Sequence, residues 1–353
     1  MKPSPHNHYD ADCIVIGAGM FGLYTAQQLV KKNKNVIVVE QAPGPFTRAS
    51  AINQARVHNG YHYPRSSETA VDVSRHYGRF LKDFEFAVNS DFQQVYAIAR
   101  ENSKVSSEEF VSFCNDVGIS LKALNPQELF RPNMVEAAFI TEESSYDFQK
   151  IRDYFLKTIG SKAKFIYGSN IISAEAKADS YLIRDDEGRT LTARAVFNAT
   201  YVGINRITEL FHAEPFDVKY ELCEVAFCDV PPRLKNTGIT VLDGDYFSLM
   251  PFGDNAVHTL TSVEHTPNKL QNPQKPFSSW NEMYKQYRSY MQPNLDLSYK
   301  FSKYESKTIL TASEEDDSRP TIIKVHTKNP TFISILSGKI STIYDVDKYI
   351  EAI

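Results

Sequence analysis

Asp12-Cys13-Ile14-Val15-Ile16-Gly17-Ala18-Gly19-Met20-Phe21-Gly22, followed by Val36-Ile37-Val38-Val39-Glu40, carries most of what this sequence says about its architecture. Residues 12–16 are a short apolar run closed by glycine, the pattern of a strand buried on both faces of a parallel sheet. From Gly17 to Lys32 the residues Leu23, Ala26, Leu29 and Val30 recur at helical spacing, and 33–35 make a turn before the second apolar run. A βαβ opening is predicted. Gly17, Gly19 and Gly22 form G-x-G-x-x-G at the junction of strand and helix, with Met20 and Phe21 inside the motif. There the first glycine permits a tight turn, the second lets backbone approach a pyrophosphate, and the third lets helix and strand pack closely. The helix start adds free N–H groups and a positive dipole end. Glu40, eighteen positions past Gly22, accepts hydrogen bonds only when ionised, so it suits a ribose 2′-hydroxyl and repels a 2′-phosphate.

The remaining composition narrows the class. With 353 residues, 42% of them hydrophobic and 23% charged, the chain has the makeup of an ordinary globular protein and length for two cores. Lys and Arg total 39 against 43 Asp and Glu, a net charge of −4 with no block of like charge, which argues against a nucleic-acid partner. Four scattered cysteines suit a reducing compartment and make no disulfide framework. Cys223 and Cys228 lack further Cys or His partners at metal-ligand spacing, so no metal site is expected. Ile14 to Val30 is too interrupted by glycine and glutamine, and too closely preceded by Asp10 and Asp12, for a signal peptide or membrane span. A cytoplasmic protein without a transmembrane segment is expected.

Residues 1–11 read as a frayed tail. Helices are predicted over Ser67–Phe84, Ser106–Val117, Phe148–Gly160 and Ser278–Met291, the last with Trp280, Tyr284, Tyr287 and Met291 as a core-facing stripe. A hairpin is expected around 184–189, a strand over Ala193–Ala199, and antiparallel sheet over 218–264 with turns at 243–245 and 252–255. A last buried strand covers Phe332–Leu336 and a last helix Ser341–Ile353. Residues 80–145 and 265–312 carry no placing motif.

The glycine motif serves both NAD and FAD, and the segment from Arg48 to Pro64 separates them. Ser50, Asn53, His58, Gly60 and Tyr63 lie in a Ser/Asn-rich stretch running into H-x-G-x-x-Y. This resembles the FAD-dependent D-amino-acid oxidase superfamily, most closely its L-2-hydroxyglutarate oxidase and glycerol-3-phosphate dehydrogenase branches, where the segment lies along the flavin. Asn198-Ala199-Thr200 is similar to the family's Asn-Ala-Thr-Gly strand end, although Tyr201 stands where the glycine would be. Arg319-Pro320 and Gly338-Lys339-Ile340-Ser341-Thr342 resemble the closing Arg-Pro and Gly-Lys-x-Thr-Thr elements. The resemblance implies FAD contacts at Gly17, Gly19, Met20, Phe21, Gly22, Glu40, Gln41, Arg48, Ser50, Asn53, Ala199, Thr200, Gly338, Lys339 and Ile340.

The expected fold is α/β, α+β overall: a Rossmann-like FAD-binding domain with an inserted antiparallel-sheet substrate domain. The first takes residues 1–80, 146–215 and 313–353, the second 81–145 and 216–312. The expected reaction removes a hydride from a CH–OH or CH–NH carbon of a small substrate onto the flavin, with oxygen or another acceptor reoxidising it. Oxidising an alcohol needs a base, and His58 and His62 are the imidazoles in the flavin segment. Because some amine-oxidising relatives bond such a histidine to the flavin methyl, His58 is also a candidate for covalent attachment. Arg319 is the candidate for a substrate carboxylate, which a planar guanidinium grips in bidentate fashion. A helix start after Gly338, with Lys339, would favour negative charge on a reduced flavin. Two alternatives stay open: an NAD-dependent dehydrogenase using the same cradle, and a flavin-binding partner subunit without turnover.

Overall fold

The computed structural model describes residues 9–253, 256–267, 278–311 and 319–353, so most of the expected N-terminal tail, Asp254 and Asn255 of the turn at 252–255, and Ser318 before the Arg-Pro element lie outside the described residues. Chain contacts divide the protein into two units. The first comprises 1–47, 152–217 and 321–353, and the second 48–151 and 218–320. Residues 48–80 therefore sit with the second unit, where the sequence reading had grouped them with the first. The reason is local: Arg56–Val57 pairs as a strand with Ser144–Tyr146, and Tyr61, Tyr63, Ala70 and Val73 pack with Tyr96, Ile98 and Phe110.

The first unit is a sheet with a parallel centre. Ala11–Ile16 pairs on one side with Val36–Glu40 and on the other with Thr190–Asn198, and Ala163–Tyr167 extends the sheet beyond Val36–Glu40, all in parallel. Such interior strands lose both faces to neighbours, and Cys13, Ile14 and Val15 are fully buried as their unbroken apolar run predicts. The start of Thr190–Asn198 pairs antiparallel with Tyr181–Asp185, the expected hairpin, while its end pairs parallel with Thr331–Leu336. Phe211 stacks on Phe332 with ring centroids 4.1 Å apart, tying the helix Ile204–Leu210 and the turn after it to that strand. The helix Met20–Lys31 buries Leu23, Ala26 and Leu29. The expected C-terminal helix differs. Residues Ile340–Val346 form a 3-10 helix, and only Asp347–Ile350 is α-helical. Hydroxyls explain the tight winding, because Thr342 Oγ1 donates back to the Lys339 carbonyl at 2.8 Å and so competes with the α-helical ladder.

The second unit carries an eight-stranded sheet in the spatial order 298–310, 218–229, 257–262, 247–252, 237–242, 93–99, 135–141 and 121–124. It is antiparallel as expected over 218–264, except that Thr237–Leu242 runs parallel to Gln93–Ala99. The helix Ser107–Val117 opens on a capping box between Ser106 and Glu109 and closes on Gly118 at φ 78°. The helix Trp280–Tyr290 turns Met283 and Tyr287 into the core with Met291 just past its end; of the expected stripe Tyr287 and Met291 are buried, while Trp280 and Tyr284 are half-buried and stack on each other against that core. Cys223 and Cys228 both lie buried on the strand Val218–Asp229.

Candidate functional site

In the first unit the strand ends converge on Gly17. Its N–H donates to the Val39 carbonyl at 2.8 Å, and the Ala199 N–H donates to the Ile16 carbonyl at 2.9 Å. Gly17 has φ 103°, and a Cβ there would meet the Ala199 carbonyl oxygen at 2.7 Å. A Cβ on Gly22 would stand 1.9 Å from the Gly17 carbonyl oxygen, so the close packing of helix on strand excludes any side chain there. Gly19, half-buried, is the N-cap and supplies no side chain to the start of a 12-residue helix that has no acidic residue in its first turn. That surface fits a pyrophosphate. Glu40 accepts the Ala18 N–H on Oε2 at 2.7 Å and the Ala42 N–H on Oε1 at 2.9 Å, beside Gln41. Each oxygen keeps a second lone pair for a ribose hydroxyl, while the two backbone bonds hold the carboxylate at the strand end. The donor set fits the ADP half of FAD.

Asn198 anchors the strand end: its amide donates to the Ile204 carbonyl at 2.9 Å and to Ser334 Oγ at 3.2 Å, and Thr200 Oγ1 donates to its Oδ1 at 2.7 Å. Tyr201 has φ 53°. The left-handed backbone that a glycine would take is thus kept, with a tyrosine bearing the strain. Its hydroxyl reaches toward Gly338, where an added Cβ would lie 3.6 Å from it. Lys339 is the N-cap residue of the 3-10 helix, and its N–H donates to Ser337 Oγ at 3.1 Å, with Ile340 as the first helical residue.

In the second unit the expected cofactor residues of the Ser/Asn-rich segment are partly engaged by protein. Arg48 forms an ion pair with Glu305 at 2.7 Å. Asn53 donates to the Ala49 carbonyl at 2.7 Å and accepts from the Tyr146 hydroxyl at 3.1 Å, which folds the loop that contains half-buried Ser50. Gly60 has φ 103°, and a Cβ there would meet the Ala70 carbonyl oxygen at 3.0 Å, so this glycine serves a turn against the following helix. The backbone N–H of Arg319 donates to Thr69 Oγ1 at 3.3 Å.

His58 lies in a cluster of rings and buried charge. Its ring centroid is 5.5 Å from that of His62 and 5.7 Å from that of Tyr63. Its Nδ1 is 3.3 Å from Glu143 Oε1, and the Glu143 side chain is fully buried. Glu143 Oε2 accepts from the Tyr96 hydroxyl at 2.8 Å and from Arg56 Nη1 at 3.2 Å. Arg56, itself buried, also donates to Thr240 Oγ1 at 2.9 Å and Ser248 Oγ at 2.5 Å. Burial pushes the Tyr96 hydroxyl well above the usual tyrosine range, so it stays a donor to the carboxylate. Reading of the sequence missed Arg56, Tyr96, Glu143, Thr240 and Ser248. Only Arg56 had a local signal, a charge two residues before His58.

Among the described residues no group of three or more His, Cys, Asp or Glu could hold a metal ion, and no helix is long and apolar enough to cross a membrane.

Comparison with solved structures gives a TM-score of 0.77 to glycine oxidase from Geobacillus kaustophilus, at 13% identity over 98% of this chain and 95% of that one. The same score relates it to L-alpha-glycerophosphate oxidase from Mycoplasma pneumoniae with FAD bound, at 14% identity over 97% and 93% of the two chains. An amino-acid oxidase and a glycerophosphate oxidase are thus equally similar, and fold likeness does not choose between the branches. Among curated proteins the FAD-dependent monooxygenase FPY4 of Fusarium mangiferae is 25% identical over 72% of this chain and 64% of its own length. The FAD-dependent monooxygenase kojA of Aspergillus flavus is 25% identical over 67% of this chain and 57% of its own. The chain therefore spans less than two thirds of the length of the curated relatives it matches. The family model described as DAO, FAD dependent oxidoreductase, matches residues 12–329, and with the glycine cradle and Glu40 inside that range the chain belongs to this FAD-dependent family.

Proposed function

We propose that the protein is an FAD-dependent oxidase or dehydrogenase that removes a hydride from a CH–OH or CH–NH carbon of a small, carboxylate-bearing substrate. The observation that carries the cofactor half is the bare helix start at Gly19 beside a Glu40 carboxylate held by two backbone N–H groups. Family membership makes FAD rather than NAD the dinucleotide. When bound, FAD supplies the two-electron acceptor. The chain's own contribution to alcohol oxidation is a base, and His58 is the imidazole assigned to it, with His62 the neighbour that could substitute. Arg319 is assigned to the substrate carboxylate, and oxygen or another small acceptor to the return half of the cycle.

A second reading, oxygen insertion into the substrate, is favoured by the printed names of the curated relatives. One experiment separates these. The FAD-loaded protein is mixed anaerobically with a panel of small hydroxy acids, amino acids and sugar derivatives, and the flavin colour is followed. Bleaching by one compound, then one hydrogen peroxide per turnover in air, supports the oxidase. Reduction only by an added reduced nicotinamide dinucleotide, with ¹⁸O from oxygen in the product, supports insertion. Arg319→Lys should raise the KM of the bleaching compound by roughly tenfold, about 1.4 kcal/mol. Unchanged kinetics would assign Arg319 to structure.

A further inference from the structure

We infer that Glu143 is a positioning residue for His58, holding its Nδ1 side so that Nε2 is left as the basic nitrogen. This rests on the proposed role of His58 as the base. The arrangement of the carboxylate carries it. Glu143 has a fully buried side chain, and burying a carboxylate costs several kcal/mol unless each oxygen is engaged. Its two oxygens are divided. Oε2 is engaged by Arg56 Nη1 and the Tyr96 hydroxyl. Oε1 is turned to the His58 segment, 3.3 Å from the imidazole Nδ1 and 3.4 Å from the Asn59 N–H. A purely structural Arg–Glu pair would most simply set both oxygens on the guanidinium in a fork; here Arg56 spends its other nitrogen on Thr240 and Ser248.

The consequence for the ring follows from its two nitrogens. A neutral imidazole carries one proton, and an ionised carboxylate accepts but cannot donate. A carboxylate against Nδ1 therefore favours the tautomer with hydrogen on Nδ1 and a lone pair on Nε2. The 3.3 Å separation lies within ion-pair range but outside hydrogen-bond geometry, as catalytic contacts often do before substrate is present. Because the side chains of Arg56 and Glu143 are 3% and 0% exposed, little competing water reaches this side of the ring. His58 itself is 19% exposed, so the ring is not sealed from a ligand.

The test uses the FAD-loaded protein labelled with ¹⁵N-histidine, with the His58 signals assigned by their loss in His58→Gln. At roughly pH 8.5, where an ordinary imidazole is neutral, wild-type His58 should show a protonated Nδ1 and an unprotonated Nε2. A dominant Nε2–H form in the wild type would overturn the inference without any variant at position 143. In Glu143→Gln, whose amide can present a donor to the ring, the Nδ1–H population should fall. Flavin bleaching by the fastest compound of the panel should slow at least about tenfold at saturation, with the half-saturating concentration within about twofold. An unchanged tautomer and an unchanged rate in a folded Glu143→Gln would also overturn it. If that variant does not fold, the wild-type tautomer decides. A native bleaching rate in His58→Gln would remove the proposed base instead, and it is read separately from the tautomer.

Discussion

Around Gly17 the groups offered to a ligand are backbone N–H groups kept clear by glycine, with a single carboxylate beside them, whereas around His58 most polar contacts run between buried side chains from five separate stretches of chain. The first arrangement fails when anything is added, and the second when anything is removed. Apart from Glu40, a recognition surface made of backbone tolerates exchange of every side chain except the missing ones. A buried charge network has the reverse property, since each member satisfies another whose desolvation has already been incurred.

The contrast is broken most directly by adding one methyl group. In Gly22→Ala the new Cβ would stand 1.9 Å from the Gly17 carbonyl oxygen, forcing the helix off the strand and its N-terminus away from the phosphates. FAD affinity, titrated by fluorescence quenching on the apo-protein, should fall at least about a thousandfold, on the order of 4 kcal/mol. Near-native affinity would show that the cradle does not depend on that close approach. The converse operation is Arg56→Met, which leaves the Glu143 carboxylate buried without its cation. Unfolding in urea should show a loss of about 3 kcal/mol, and the double variant Arg56→Met with Glu143→Leu should recover much of it. If the double variant is no better than the single one, the cost lies in packing and not in the stranded charge.

This difference also explains what could be read from the sequence. G-x-G-x-x-G and Glu40 are legible because backbone geometry demands glycine at fixed, contiguous positions, and the strand and helix periods on either side confirm the setting. The boundaries of Val36–Glu40 and Ser107–Val117 follow from apolar runs and a capping box for the same reason. Glu143 could not be found that way. It sits in the short connection between Val135–Thr141 and Ser144–Tyr146, and its partners come from positions 56, 58, 59 and 96, so the network exists only after the second unit's strands have paired. The different grouping of 48–80 has the same origin, because the two-residue strand Arg56–Val57 is too short to show a period. The C-terminal 3-10 helix escaped because hydroxyl back-bonding, not apolar spacing, sets its winding.

The smallest expected effect sharpens the comparison at Tyr201, where a backbone position meant for glycine carries a side chain at φ 53°. Tyr201→Ala keeps the left-handed strain and loses the ring; Tyr201→Gly loses the ring and the strain together. The glycine variant should therefore be more stable than the alanine variant by roughly 1 kcal/mol in urea unfolding. Equal stabilities would mean that the local chain relaxes when the tyrosine leaves.

The first unit closes its sheet with Thr331–Leu336, a strand synthesised about 290 residues after Val36–Glu40 against which the opening βαβ is built. At ordinary translation rates that interval is on the order of fifteen to sixty seconds. During it the nascent chain has its phosphate-binding turn, yet Thr190–Asn198 lacks the second of its two parallel neighbours and Phe211 lacks the ring it stacks on. The phosphate-binding turn is thus made well before the strand Thr331–Leu336 that completes the pairing of Thr190–Asn198. A ribosome that stalls late, even past both signature segments, leaves an apolar strand edge available to chaperones or to aggregation where the finished protein has a sheet.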